Sequence, residues 1–140
     1  MSKLLSCADE LITIDPHLHR IKNLKEIFAI KTKTLTANRV LAEYIKKNIS
    51  NPVVIGPDEE SGQWADEIAR IAKVEHFVLK KKRYTAEKVK IIVKTNIDLK
   101  NRNVIIVDDI ISTGHTMIEP IKQLKRKGVK QVYCIGVHGL

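Results

Sequence analysis

The stretch Val104-Ile105-Ile106-Val107-Asp108-Asp109-Ile110-Ile111-Ser112-Thr113-Gly114-His115-Thr116 decides the fold. Its first four residues are an unbroken β-branched apolar run, the pattern of a strand covered on both faces by other layers. Two adjacent carboxylates follow, then a segment with hydroxyl residues and a glycine. Beyond it Met117, Ile118, Ile121 and Leu124 recur at helical spacing. A buried strand that turns through a glycine into a helix is the first half of a crossover unit, and in open sheets of that kind ligands bind beyond the carboxyl ends of the strands.

Working outward, the same alternation of short apolar runs and amphipathic helical patterns extends along the chain. Strands are expected at residues 11 to 15, 53 to 56, 76 to 79, 89 to 93, 104 to 107 and 131 to 136. Helical spacing joins Val40, Leu41, Tyr44 and Ile45, and again Trp64, Ala65, Ile68 and Ala72. The expected fold class is α/β, a mostly parallel sheet flanked by three helices, in a single domain over residues 1–140. Ser61 and Thr113 read as helix caps, and Gly128 follows a basic last turn of Lys125, Arg126 and Lys127.

Composition narrows the function classes. A chain of 140 residues can bury roughly 68–70% of the surface exposed by its unfolded form, so a self-sufficient core is expected. The formal charge of +9 favours anionic partners, but aromatic residues make up only 4%, leaving few platforms for base stacking, and no nucleic-acid partner is expected. Cys7 and Cys134 form no metal-type or redox-type pair, which suits a reducing cytoplasm. Cys134 reads as a small core residue. The opening MSKLLSCADELITID has too short an apolar stretch for a signal peptide, and no run approaches the roughly 20 apolar residues of a membrane helix. The expectation is a soluble, cytoplasmic protein with no membrane association.

The segment from Asp108 to Thr116 can be read as chemistry. The hydroxyls of Ser112, Thr113 and Thr116, together with backbone N–H groups at a helix N-terminus, form a receptor for phosphate, and Gly114 lets the backbone approach closely. Carboxylates facing that anion would repel it, so Asp108 and Asp109 are expected to face the vicinal hydroxyls of a sugar, a divalent cation, or both. A ribose 5-phosphate fits both ends. The blander reading, in which the acidic pair ends a strand and Thr113 caps a helix, accounts for part of the string only.

At this string the chain resembles the phosphoribosyl pyrophosphate motif shared by phosphoribosyltransferases and ribose-phosphate pyrophosphokinases. The likeness to the pyrophosphokinases extends over essentially the whole chain, on Asp15-Pro16-His17, Pro57-Asp58 and the basic run Lys80 to Arg83. It implies a type I phosphoribosyltransferase-like fold corresponding to the carboxyl-terminal half of the family's two-half layout, with a terminal edge element of the sheet lacking. It implies that His17 helps hold a magnesium–ATP complex, that Asp58 serves the metal and sugar-hydroxyl region, and that Lys81 and Arg83 belong to a catalytic loop. Without the resemblance, Lys80 to Arg83 reads as a solvated basic loop and His17 as incidental.

The reaction so implied moves diphosphate from ATP to the anomeric hydroxyl of ribose 5-phosphate. Charge gathers on phosphoryl oxygens there and must be met by cations, for which Lys81, Arg83 and Mg2+ are suited. Two departures bear on competence. His115 stands where the family commonly has glycine, and Glu59-Glu60-Ser61 replaces a small, glycine-containing stretch. Three functions remain open: a pyrophosphokinase whose ATP is held by a partner chain or a remnant site, a non-catalytic sugar-phosphate-binding subunit of a full-length synthetase, and a phosphoribosyltransferase consuming phosphoribosyl pyrophosphate. The resemblance to the pyrophosphokinases, which assemble from dimers, implies self-association into a homo-oligomer.

Overall fold

The computed structural model describes residues 7–18, 21, 23–59, 61–83 and 89–140. The side chains at 81–83, 89–91 and 116 lie outside that description. Packing divides the chain into two compact units, Met1–Ala37 and Asn38–Leu140.

The first unit is built on two strands, β1 (Glu10–Ile14) and β2 (Lys31–Leu35), paired in parallel with Ile12 opposite Lys33 and Ile14 opposite Leu35. A single 3-10 turn at Leu24–Glu26 precedes β2 and buries Leu24. Sequence patterning missed β2, because its residues KTKTL are largely exposed and give no apolar signal. Both strand ends are tied at Asp15, which takes the left-handed backbone (φ 38°). Its N–H donates to Leu35 O (2.9 Å) and its Oδ2 accepts from Ala37 N–H (2.8 Å).

The second unit is a four-stranded, wholly parallel sheet in the order β4 (Glu75–Val78), β3 (Pro52–Gly56), β7 (Asn103–Ile111), β8 (Gln131–Gly139). Two further strands, β5 (Lys80–Arg83) and β6 (Val89–Ile92), form an antiparallel pair. The helices are α1 (Asn38–Asn48), α2 (Gly62–Ala72) and α3 (His115–Arg126). Successive residues of a strand point to opposite faces, and each face has its own core. Val54, Ile105 and Val107 pack with Ala42, Ile45 and Ile49 of α1 and its extension and with Ala65, Ile68 and Ala69 of α2. Val53, Ile55, Val104 and Ile106 pack with Met117 and Leu124 of α3 and with Leu79, Val93 and Leu99. This covering of both faces is what the unbroken apolar run of β7 requires.

Four expectations are corrected here. Residues 137–139 continue β8 past the strand end expected at 136, and Leu140 N–H still bonds Ile111 O (3.1 Å). The buried face of α1 is Asn38, Ala42 and Ile45, while Val40 and Tyr44 are exposed. Small and polar residues occupy the buried stripe of that helix, so counting large apolar side chains rotated it. Cys134 is exposed, because β8 lies at the edge of the sheet. The basic run at Lys80 is strand β5 rather than a loop. Among the described residues no helix is long and apolar enough to cross a membrane.

Candidate active site

The sheet order sets the place of the site. From β3 the chain crosses through α2 to β4 on one side, and from β7 it crosses through α3 to β8 on the other. The direction of winding therefore reverses between β3 and β7, and the crevice at their carboxyl ends is where a doubly wound sheet binds ligands. Pro57 and Asp58 follow β3 at this end, and Asp108 and Asp109 lie on the last part of β7.

The structure brings Asp58 and Asp108 together. The Asp108 carboxyl is half-buried, and burial, then the charge of Asp109, then that of Asp58, push it up to about 6 from the ordinary 3.8. Its Oδ1 accepts from Asp109 N–H (3.1 Å). Asp109 is only 3% exposed, and its Oδ1 accepts from Ile110 N–H (2.9 Å). The two neighbours are thus unequal: Asp108 is the carboxylate within reach of solvent, and Asp109 is an inner group that adds to the negative potential around it.

The phosphate-receptor segment is shorter than its sequence suggested. Strand β7 runs through Ile111, with Ile110 opposite His138 and Ile111 opposite Gly139. That leaves Ser112, Thr113 and Gly114 as the connection to α3. Gly114 occupies the N-cap position with φ 70°, a conformation that only glycine adopts without penalty. Thr113 is therefore displaced from the cap by one residue, although its Oγ1 still accepts a long bond from His115 N–H (3.5 Å). Ser112, Thr113 and His115 are exposed at the start of α3, where helix N–H groups and the dipole favour an anion. Thr116 lies in the first turn of α3, and its side chain is outside the description.

The remaining candidates divide. Leu79 N–H donates to Gly56 O (2.9 Å), so β5 starts beside the carboxyl end of β3. Lys81 and Arg83 are on that strand, opposite Ile91 and Val89, with side chains outside the description. Glu60 is likewise outside it, whereas Glu59 is exposed next to Asp58. His17 is exposed in the first unit, two residues after Asp15. Among the described residues no group of three or more His, Cys, Asp and Glu side chains is arranged to enclose a metal ion.

One residue was placed in the wrong role. Ser61 stands at the N-cap position of α2 but makes no side-chain capping bond to the helix. Its Oγ and N–H bond Asp58 instead. The spacing Asp58-x-x-Ser61 is the signal that could have shown it, since a carboxylate and a hydroxyl three apart can bond each other's backbone in one turn.

The chain is similar to known proteins in sequence and in fold. Residues 23–139 match the phosphoribosyl transferase domain family. Among curated proteins, the chain is 35% identical over 132 residues to a protein of Pyrococcus furiosus named ribose-phosphate pyrophosphokinase, covering 94% of this chain and 46% of that protein. It is 38% identical over 135 residues to a protein of the same name from Methanopyrus kandleri, covering 95% and 45%. The chain thus spans about 45% of the length of the curated relatives it matches. In fold it is similar to a phosphoribosylpyrophosphate synthetase from Mycobacterium smegmatis (TM-score 0.78, 24% identity, 99% of this chain and 44% of that one). It is also similar to a purine phosphoribosyltransferase from Pyrococcus horikoshii (TM-score 0.63, 26% identity, 74% and 70%).

Proposed function

The chain belongs to the phosphoribosyl transferase domain family, and from that premise we propose that it binds ribose 5-phosphate at the carboxyl ends of β3 and β7 and, with ATP held by a partner chain, transfers diphosphate to the anomeric hydroxyl. The observation that carries the proposal is that Asp58 and Asp108 stand at the carboxyl ends of neighbouring strands at the winding reversal, near enough for their charges to interact, with α3 starting after the short connection that follows β7. The sugar hydroxyls face the carboxylates and the 5-phosphate faces the helix, so each end of the ligand meets groups of the right charge.

The carboxylates suit Mg2+ as well. Burial first, and then the like charges of Asp109 and Asp58, raise the proton affinity of Asp108, and a hard cation with oxygen ligands relieves the repulsive part. Magnesium is commonly held by one or two carboxylates with phosphate oxygens completing its shell. Asp108 and Asp58 would hold it. Bound there, the ion supplies neutralisation of charge on the transferring phosphoryl oxygens. Lys81 and Arg83 share that task from β5. The setting we propose is cytoplasmic, with the chain in a homo-oligomer.

Glu59 favours a second reading, binding without turnover as a subunit of a longer synthetase, because an exposed carboxylate beside Asp58 repels pyrophosphate wherever no cation intervenes. Incubation with ATP, ribose 5-phosphate and Mg2+, alone and with a full-length synthetase, separates the two. Formation of AMP and phosphoribosyl pyrophosphate in step supports the enzyme. Sugar-phosphate binding with no product from the chain alone, and none beyond the synthetase's own in the mixture, supports the subunit. Consumption of phosphoribosyl pyrophosphate with a purine base would instead identify a phosphoribosyltransferase.

A further inference from the structure

Strands β5 and β6 form a sheet of two strands, and such a pair is marginal in water unless its neighbours hold it. Its base is Leu79 and Val93, the residues just outside the last registered pair, Lys80 with Ile92. Both are buried in one apolar cluster with Met117 and Leu124 of α3. Each foot also has a backbone bond beyond the pair. Leu79 N–H donates to Gly56 O (2.9 Å) at the end of β3, and Val93 N–H donates to Gln123 Oε1 (3.3 Å) of α3. The first bond joins two main chains, so it does not depend on a particular side chain. The second needs a side-chain acceptor of this reach at this place on the helix. Gln123 Nε2 donates to Glu119 Oε1 (3.1 Å), one turn earlier on the same helix face, so the two ends of the amide are sorted between an acceptor and a donor.

The seat matters because of what stands above it. Lys81, opposite Ile91, and Arg83, opposite Val89, lie two and four residues from Leu79 along the chain. At roughly 3.3 Å per residue, their backbones stand about 7 and 13 Å from the foot. A tilt of about 10° at the base carries the Arg83 backbone through about 2 Å, and a displacement of about 1 Å is enough to spoil the alignment of a group with reacting atoms. Gln123 stands about two turns beyond His115, so the helix that seats the pair is the one whose start is read as the receptor for the 5-phosphate. We propose that Gln123 is a positioning residue that seats the β5–β6 pair on α3 and thereby sets where Lys81 and Arg83 stand relative to the diphosphate of the ligand. The inference rests on the reading of Lys81 and Arg83 given under the proposed function, and it adds a residue that acts only through the pair.

The full chain is titrated calorimetrically with phosphoribosyl pyrophosphate and with ribose 5-phosphate, each with Mg2+. It is compared as wild type, as Gln123→Met, as Lys81→Ala with Arg83→Ala, and with all three substitutions together. Gln123→Met keeps the length of the side chain without its amide, and the first ligand alone carries the diphosphate. Exchange of the Val93 amide proton is followed by NMR, and thermal melting confirms that each variant is folded. In Gln123→Met the expected results are faster exchange at Val93 and an affinity for phosphoribosyl pyrophosphate lower by about fivefold or more, as for a buried N–H left without its acceptor. Ribose 5-phosphate should bind as to wild type. On the Lys81→Ala, Arg83→Ala background, Gln123→Met should cost nothing further, because the seat then has no cations to place. Unchanged affinity for phosphoribosyl pyrophosphate in Gln123→Met, where Lys81→Ala with Arg83→Ala does weaken it, would overturn the inference alone. An equal loss for both ligands, or a loss that persists on that background, would overturn it too. Wild type that binds neither ligand, or that loses no affinity on removal of Lys81 and Arg83, would overturn the reading of the site and the inference with it.

Discussion

Asp58, after β3, and Asp108, on β7, stand close enough at the carboxyl end of the sheet for the charge of one to raise the proton affinity of the other. Like charges are placed together at a cost, and a winding reversal is where such a cost has a use.

Burial of Asp108 adds to that cost and is its largest part, ahead of the charges of Asp109 and Asp58, and the sum is measurable through pH. Asp108 holds its proton more tightly in the folded chain, up to about 6, than at its ordinary 3.8. Its contribution to stability is therefore most favourable below about pH 4 and is lost as the pH rises through about 6. Asp108→Asn removes the titration. Without divalent cations, the variant should exceed wild type in stability by on the order of 1 kcal/mol at neutral pH, allowing for solvent screening of a half-buried group. The difference should shrink below pH 5. Urea unfolding across pH 4–8 checks it, and a gap independent of pH would mean that the carboxyl is not so perturbed.

Gly136 makes room for the end of β7. A methyl group on it would fall 2.7 Å from Ile111 Cγ1 and 2.8 Å from Cδ1. Gly136→Ala should cost about 1–3 kcal/mol by overpacking. Adding Ile111→Ala should recover part of it, so a double-mutant cycle should show a coupling of about 1 kcal/mol or more. Additive effects would mean that the clash relaxes elsewhere.

Gly114 is the opposite case, with nothing within 4 Å of an added methyl group but φ at +70°. Gly114→Ala should cost about 1–2 kcal/mol from backbone strain alone, and Gly114→Asn less, because asparagine tolerates this region. Chemical denaturation of the two variants distinguishes strain from crowding, which would penalise asparagine more.

Arg102 gathers the amino ends of three strands. Its Nη1 bonds Glu75 Oε2 (2.8 Å), its Nη2 bonds Pro52 O (3.2 Å) and its Nε bonds Asn51 O (3.3 Å). A lysine cannot reproduce this fork, so Arg102→Lys should lose about 1–2 kcal/mol in thermal or urea unfolding, with the ligand site, at the other end of the sheet, unaffected.

What was legible in the sequence follows from what carries a signal. The apolar run of β7 and the stripe Ala65, Ile68 and Ala72 of α2 are buried as their spacing implies. Strands β2 and β5 were illegible because lysine fills them, with threonine in β2 and arginine in β5, and their pairing is set by backbone geometry that residue hydrophobicity does not encode. Within the site, the order Asp108 to His115 was readable from one stretch of chain. The approach of Asp58 to Asp108 was not, since it depends on β3 lying beside β7. Ser61 was misassigned for a related reason: a serine before a helix has two nearby sets of partners, and only the turn geometry chooses between them.

The central claim is tested most directly by calorimetric titration of ribose 5-phosphate, with Mg2+, into wild type and Asp108→Asn at neutral pH. The substitution keeps the shape of the side chain and is expected to stabilise the fold, so lost binding cannot be laid to unfolding. The account predicts saturable binding to wild type and its loss, or a fall of at least tenfold, in the more stable variant. Equal binding by both proteins, or none by folded wild type, would contradict it.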